Sequence, residues 1–194
     1  MPRKFKTFKT HHRRRREKRT DYKQRLDLLK SGKPRLVIRR TSNNIICQIV
    51  KHDPKGDKTL VTATAKELKK AGWKAHCGNV PASYLIGLIC GSEAKKKKVT
   101  EAVPDTGLHA STKSSRIYAA LKGAVDSGLK VPHSDEILPD KERFSGKHIE
   151  DYSKKLKSEK PDTFKKQFAG YVKSKTEPQS ISKHFEEVKK KILK

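Results

Sequence analysis

Hydrophobic and polar positions alternate most regularly between Leu36 and Val50, in the stretch LVIRRTSNNIICQIV. β-Branched runs at Leu36–Ile38 and Ile45–Val50 flank Thr41-Ser42-Asn43-Asn44, residues whose side chains bond their own backbone in turns, so the stretch predicts a β-hairpin. Arg39, Arg40, Asn43, Asn44 and Gln48 fall near its tip and on its polar side. Asp53-Pro54-Lys55-Gly56-Asp57 signals a turn, and Thr59–Ala65 a third strand, which together predict an antiparallel meander. A short basic helix over Lys66–Gly72 follows. Asn79 or Gly78 can cap the next helix, with Pro81 in its first turn, Ala82, Leu85, Ile86 and Ile89 on its buried face, and Lys95–Lys98 at its end. Val99–Val103 reads as a fourth strand, and a strand–helix–strand crossover makes it parallel. Ser111 to Gly128 predicts a further helix, because Ile117, Ala120, Leu121, Ala124 and Val125 repeat at the spacing of one face. The expected fold is α/β, with a mixed sheet of a three-strand meander plus one parallel strand, flanked by helices.

Two flanking regions have other patterns. Ahead of the hairpin, Thr20 is a candidate N-cap with Asp21 in the first turn. Tyr22, Leu26 and Leu29 form one apolar face, and Gly32 and Pro34 end the helix, leaving Arg19, Lys23 and Lys30 available to phosphates. From Pro139 onward the chain becomes lysine-rich, with three thin helical stripes separated by Pro161 and Pro178. They are Ile149, Tyr152, Leu156; Phe164, Phe168, Tyr171; and Ile181, Phe185, Val188, Ile192. These helices are expected to pack across the main domain or onto RNA rather than to build a second core. The organisation predicted is a basic arm over 1–19, an α/β domain over 20–138 and a helical extension over 139–194.

Composition changes the picture. Only 32% of the 194 residues are hydrophobic, against roughly 45–50% in an ordinary globular domain, so part of the chain must lie on a partner. The net charge is +27. A field of that size repels itself unless an anion answers it, and a polyphosphate backbone fits better than an anionic membrane. The charge is uneven: residues 99–140 are slightly acidic inside an otherwise basic chain, so they are expected to pack inward or to face protein. Residues 1–19 carry ten basic residues and one acid, a composition that is disordered alone and folds on binding. Phe5 and Phe8 in this arm could stack on bases, which favours RNA over a plain solvated charge run or a localisation signal.

Candidate chemistry is sparse. Cys47, Cys77 and Cys90 are odd in number and lack C-x-x-C spacing, so neither disulfides nor zinc is expected, and the compartment reads as reducing cytoplasm. No apolar run reaches the ~18 residues of a membrane span, and residues 1–20 lack a secretory core. Metal-dependent nucleases need several carboxylates at strand ends, yet Arg35 to His52 contains none. Asp105 with His109 is a weak general-base pair, and a carboxylate capping a turn is the plainer reading of Asp105. No phosphate-binding loop, dinucleotide fingerprint or nucleophile elbow is present. Trp73 is read as a packing residue, with a stacking platform as its alternative. Binding is expected, with no enzyme activity, cofactor or metal.

Several stretches carry a resemblance. RRRREKRTDYKQRLDLLKSGKPRLVIRRTSNN (Arg13–Asn44), GNVPASYLIGL (Gly78–Leu88), RIYAALKGAVDSGLKVPHSDEILPD (Arg116–Asp140) and GKHI (Gly146–Ile149) resemble, in order, the archaeal-type large-subunit ribosomal protein eighteen. The resemblance covers roughly residues 10–155 and departs at Pro104-Asp105-Thr106-Gly107 and at Ser114-Ser115, where a glycine is common. It implies a structural role: holding 5S rRNA and docking it in the central protuberance, beside large-subunit rRNA and ribosomal protein five. It also implies RNA contacts from Arg13, Arg14, Arg15, Arg16, Arg19, Tyr22 and Arg25, and from Lys33, Arg35, Arg39, Arg40, Ser42, Asn43, Asn44 and Gln48. Arg3, Lys4, Lys6 and Lys9 in the arm join them as candidates. The rival readings are an RNA nuclease and an RNA chaperone with no fixed target.

Overall fold

The computed structural model describes residues 9–173 and 176–193. Strands β1 (Arg35–Arg40) and β2 (Ile45–Lys51) form the expected hairpin, in register from Arg35 opposite Val50 to Arg40 opposite Ile45. The Thr41 N–H donates to the Asn44 carbonyl at 2.9 Å to close its turn. β3 (Lys58–Ala63) pairs antiparallel with β2, and β4 (Val103–Asp105) pairs parallel with β1, giving the order β3-β2-β1-β4. The mixed sheet expected from the pattern is therefore the one observed.

Short helices α1 (Arg13–Arg16) and α2 (Tyr22–Lys30) precede the sheet, and α3 (Ala65–Lys70) follows β3. The α2 N-cap is Asp21, one residue later than expected; its carboxylate accepts the N–H groups of Lys23 and Gln24. No residue of α2 is buried and Leu26 is 58% exposed, so the apolar face drawn for this helix is not a packed face. Helical spacing aligns leucines, but it does not supply a surface to bury them.

Helix α4 (Val80–Lys96) is the centre of the molecule. Asn79 caps it through Oδ1, which accepts the Ala82 N–H at 2.9 Å, and Pro81 occupies its first turn. Nearly every residue from Val80 to Ala94 is buried, so α4 has no single apolar face. The sheet covers one side through Leu36, Ile38, Ile45, Cys47 and Ile49, while α5 (Arg116–Asp126) lies along another. The two helices touch backbone to backbone: a methyl group on Gly87 would overlap the Ala120 carbonyl, and one on Gly123 would overlap the Tyr84 carbonyl.

Two boundaries differ from expectation. Lys98 turns left-handed (φ 58°) and the Val99 N–H bonds back to Ala94, so the chain reaches β4 later than expected. The expected strand Val99–Val103 splits: Glu101 bridges Lys130, and only Val103 onward pairs with β1. Helix α5 begins at Arg116 rather than Ser111 because Ser114 is itself left-handed (φ 56°), a conformation that favours glycine.

The C-terminal helices are α6 (Lys141–Ser145), α7 (Lys147–Glu159), α8 (Pro161–Gln167), α9 (Ala169–Lys173) and α10 (Ile181–Leu193). Phe144 of α6 stacks on Tyr84 at 4.5 Å between centroids, and Phe185 of α10 tilts against both rings. Ile181, Phe185 and Val188 thus complete the core around α4. Tyr152, Phe164, Phe168 and Tyr171 gather separately as a smaller aromatic cluster. Cys47 and Cys90 are fully buried free thiols; the neighbouring Cys90, together with burial, pushes the Cys47 thiol well up. Trp73 is a packing residue: it is 2% exposed, its indole N–H donates to the His76 carbonyl at 3.3 Å, and its ring stacks on His184 at 5.0 Å.

Two predictions concern stability. Gly87→Ala should destabilise the fold by about 3 kcal/mol, since neither helix backbone can retreat. Gly170→Ala, with no atom within 4 Å of the added methyl, should be neutral or slightly stabilising. Urea unfolding of the two variants measures the contrast. His184 Nε2 accepts the Lys74 N–H at 3.1 Å. Burial first, then the charges of Lys74 and Lys191, hold its pKa below the ordinary 6.5, against an opposing pull from Glu187. The unfolded chain therefore takes up a proton first as pH falls, so the stability from neutral His184 is complete above about pH 6.5 and is lost as pH falls through the depressed value. The melting temperature should drop between pH 7 and pH 5, and His184→Gln should flatten that drop in a thermal scan.

Candidate nucleic-acid interface

Strand alternation divides the sheet. Leu36, Ile38, Cys47 and Ile49 point to the core, so Arg35, Val37, Arg39, Ile46 and Gln48 take the other face. Helices α4 and α5 cover only the core side, where their buried residues meet those strands. On the second face Gln48 donates from Nε2 to the Thr62 hydroxyl at 3.2 Å, and Val37 and Ile46 are half-buried around it.

Across this face runs a chain of five charged side chains. Arg25 of α2 meets the Asp57 carboxylate at 2.7 Å, and Arg35 meets the same oxygen at 2.6 Å. Arg35 reaches Asp105 with its other Nη at 2.8 Å, and Arg39 meets the second Asp105 oxygen at 2.7 Å. Arg39 also donates to the carbonyls of Ile38 (2.9 Å) and Asp105 (2.6 Å). Burial alone would raise the Asp105 carboxyl, but the hydrogen bond and charge of Arg39, then those of Arg35, outweigh it and hold the pKa below its ordinary value. Asp57 behaves likewise: burial raises it, while His52, Arg25 and Arg35 together lower it further.

Beside this chain lies a cleft of about 550 Å3 between α1, α2, β1 and residues 107–109. Arg14, Arg19, Tyr22, Arg25, Arg35 and Arg39 line it, with Leu108 and His109 on the far wall. Arg14 donates from Nε to the Thr20 hydroxyl at 2.9 Å, and Tyr22 tilts against His12 at 5.1 Å. The four arginines of α1 are exposed, as are Lys9 and Arg19. Beyond the end of β1, Ser42 and Asn43 are exposed in the hairpin turn. Arg116 holds that turn from behind, donating to the carbonyls of Gly78 (2.8 Å), Ser42 (3.3 Å) and Thr41 (3.4 Å).

The structure thus brings most of the expected residues to one side. Arg13, Arg14, Arg15, Arg16, Arg19, Tyr22, Arg25 and Arg39 surround the cleft or stand beside it, Arg40, Ser42 and Asn43 are exposed at and beyond the end of β1, and Gln48 lies on the sheet. Lys33 pairs with Glu101 at 2.6 Å, and Asn44 is half-buried with its Oδ1 unpartnered. Arg3, Lys4, Lys6, Phe5 and Phe8 lie outside the described residues. Arg35 has a different place from the one expected: at 4% exposure, with both Nη groups on carboxylates, it is an internal tie beneath the face. Asp105 does cap a turn, accepting the Gly107 N–H at 3.0 Å, but its main partners are the two arginines. His109 makes no bond to it; its Nε2 accepts the Arg40 N–H at 3.3 Å.

Sequence reasoning missed Asp57, Asp105 and Arg116 as builders of this surface. The signal available was a pair of carboxylates in turns beside the most basic strand of a +27 chain. Among the described residues, no group of three or more His, Cys, Asp or Glu is placed to hold a metal ion, and no helix is long and apolar enough to cross a membrane.

Comparison with known proteins agrees with this layout. The family described as ribosomal large subunit proteins 60S L5 and 50S L18 matches residues 6–103 and 92–134. The large ribosomal subunit protein uL18 of Methanococcus maripaludis is 51% identical over 186 residues, covering 96% of each chain. With an open basic sheet face, a cationic arm and similarity across almost the whole length, the chain belongs to this family of large-subunit ribosomal proteins.

Proposed function

We propose that this ribosomal protein binds 5S rRNA through the open sheet face, the cleft and the arm, and helps dock it onto large-subunit rRNA in the central protuberance, beside ribosomal protein five. The observation that carries the reading is the one-sided sheet: helices cover the apolar face, while the other face presents Arg39, Gln48 and the cleft arginines together. Phosphate neutralisation supplies affinity. RNA shape and exposed loops supply selectivity, because side chains cannot read the deep major groove of an RNA duplex. The role is structural: Asp105, the best-placed carboxylate for a base, is occupied by two arginines and a backbone amide. The cytoplasmic ribosome is the setting for this role.

Titration of the full chain against 5S rRNA and tRNA at two salt concentrations tests the proposal. The wild type should prefer 5S rRNA. Replacing Arg16 and Arg40 with Ala should weaken that binding and reduce the log–log salt slope by about 1.4–1.8, the loss of two phosphate contacts. Replacing Lys190 and Lys191 of α10, remote from the cleft, should change it less. Equal binding of both RNAs by the wild type would leave only a generic polycation.

A further inference from the structure

We propose that Asp57 and Asp105 are positioning residues: they fix the guanidinium groups of Arg25 and Arg39 so that the basic face discriminates between RNAs, at a cost in general affinity. The inference rests on the reading that this face binds RNA, and it names two residues of opposite charge as determinants of its selectivity.

The chain Arg25–Asp57–Arg35–Asp105–Arg39 joins four elements: α2, the turn before β3, β1 and the end of β4. Core formation gives no need for it. Apolar side chains of similar volume stabilise an interior at least as well as ion pairs do, and the hydrophobic cluster around α4 lies on the opposite side of the sheet. For a protein that holds polyphosphate by charge alone, each carboxylate on this face is a disadvantage. Both nonetheless sit within hydrogen-bond distance of two arginines.

Their geometry answers the difficulty. Asp105 engages Arg39 through a carboxylate oxygen and its own carbonyl, and the Ile38 carbonyl adds a third acceptor. Gly107, left-handed at φ 61°, lies so close that a methyl group there would be 2.8 Å from the Arg39 Cζ. The guanidinium is therefore slotted between carbonyls and a bare backbone, with its side chain still 36% exposed. Asp57 holds Arg25, whose side chain is 32% exposed, and so ties α2 to the sheet although that helix buries no residue. The fully enclosed Arg35 links the two carboxylates and sets the spacing of the outer pair. Arginines held in place lose less freedom when a matching phosphate arrangement docks, and they cannot rearrange to suit another one.

The sign of a charge change separates positioning from simple electrostatics. In Asp57→Asn and Asp105→Asn the protein gains one positive charge. If the carboxylates only oppose RNA, both 5S rRNA and tRNA bind more tightly and the ratio of their affinities stays constant. If they position the arginines, tRNA binding tightens while 5S binding weakens or stays level, and the ratio falls about ten-fold. Asp57→Glu, which keeps the charge at a partly exposed site, should restore most of the ratio. Melting curves accompany each titration. A fall in both affinities that follows a lowered melting temperature marks a purely structural role and overturns the inference, as does a constant ratio. Should Asp105→Asn fail to fold, Asp57→Asn at the edge of the network carries the test. A wild type without preference for 5S rRNA would instead remove the functional reading, and the inference with it, before any variant is made.

Discussion

The close approach of α4 and α5 is the contact on which the other layers depend. Gly87 and Gly123 let each helix backbone reach a carbonyl of the other, and Gly91 makes room for the Ser127 hydroxyl and the Ala124 carbonyl. With α5 so near, α4 can be buried on almost every side: against the sheet, against α5 and beneath α6 and α10. Glycine inside a helix sacrifices propensity, on the order of 1 kcal/mol each, and here the return is packing density at the centre. Because all of the apolar layering gathers around α4, the opposite face of the sheet remains uncovered, and that face holds the candidate RNA site.

The two sides of the sheet follow different physics. On the inner side, aliphatic and aromatic groups exclude water and the three cysteines serve as small apolar residues. On the outer side, order comes from hydrogen-bonded charge. Arg35 is buried because two carboxylates accompany it, and those carboxylates keep low pKa values because arginines, and at Asp57 also His52, hold them charged. Net positive charge and a defined arrangement of that charge coexist, as a partner with fixed phosphate positions requires.

Much of this was legible beforehand, for reasons that can be located. The hairpin followed from period-two alternation around a turn of Thr, Ser and Asn, and the cap of α4 from Asn79 with Pro81. The start of α5 was missed because Ser114 adopts a left-handed backbone that its identity does not announce. The face of α2 was misjudged because periodicity registers apolar residues and not the surface that would receive them. Phe185 read as part of a thin stripe, and Phe144 went unassigned, because their partner, Tyr84, is distant in sequence and faces away from the sheet. The roles of Arg35, Asp57 and Asp105 depend on contacts across three connections, and no local window spans those.

The place of Phe185 in the core bears on how the chain comes off the ribosome that makes it. Domains form as units as synthesis proceeds from the N-terminus, and the aromatic contact between Tyr84 and Phe185 cannot form until α10 has emerged. The arginines of α1 and the basic strand appear early, while the side of α4 that carries Tyr84 waits for the last helix of the described chain. A newborn copy therefore passes through an interval in which its cationic arm and strand and the aromatic side of its central helix are both uncovered, amid abundant RNA.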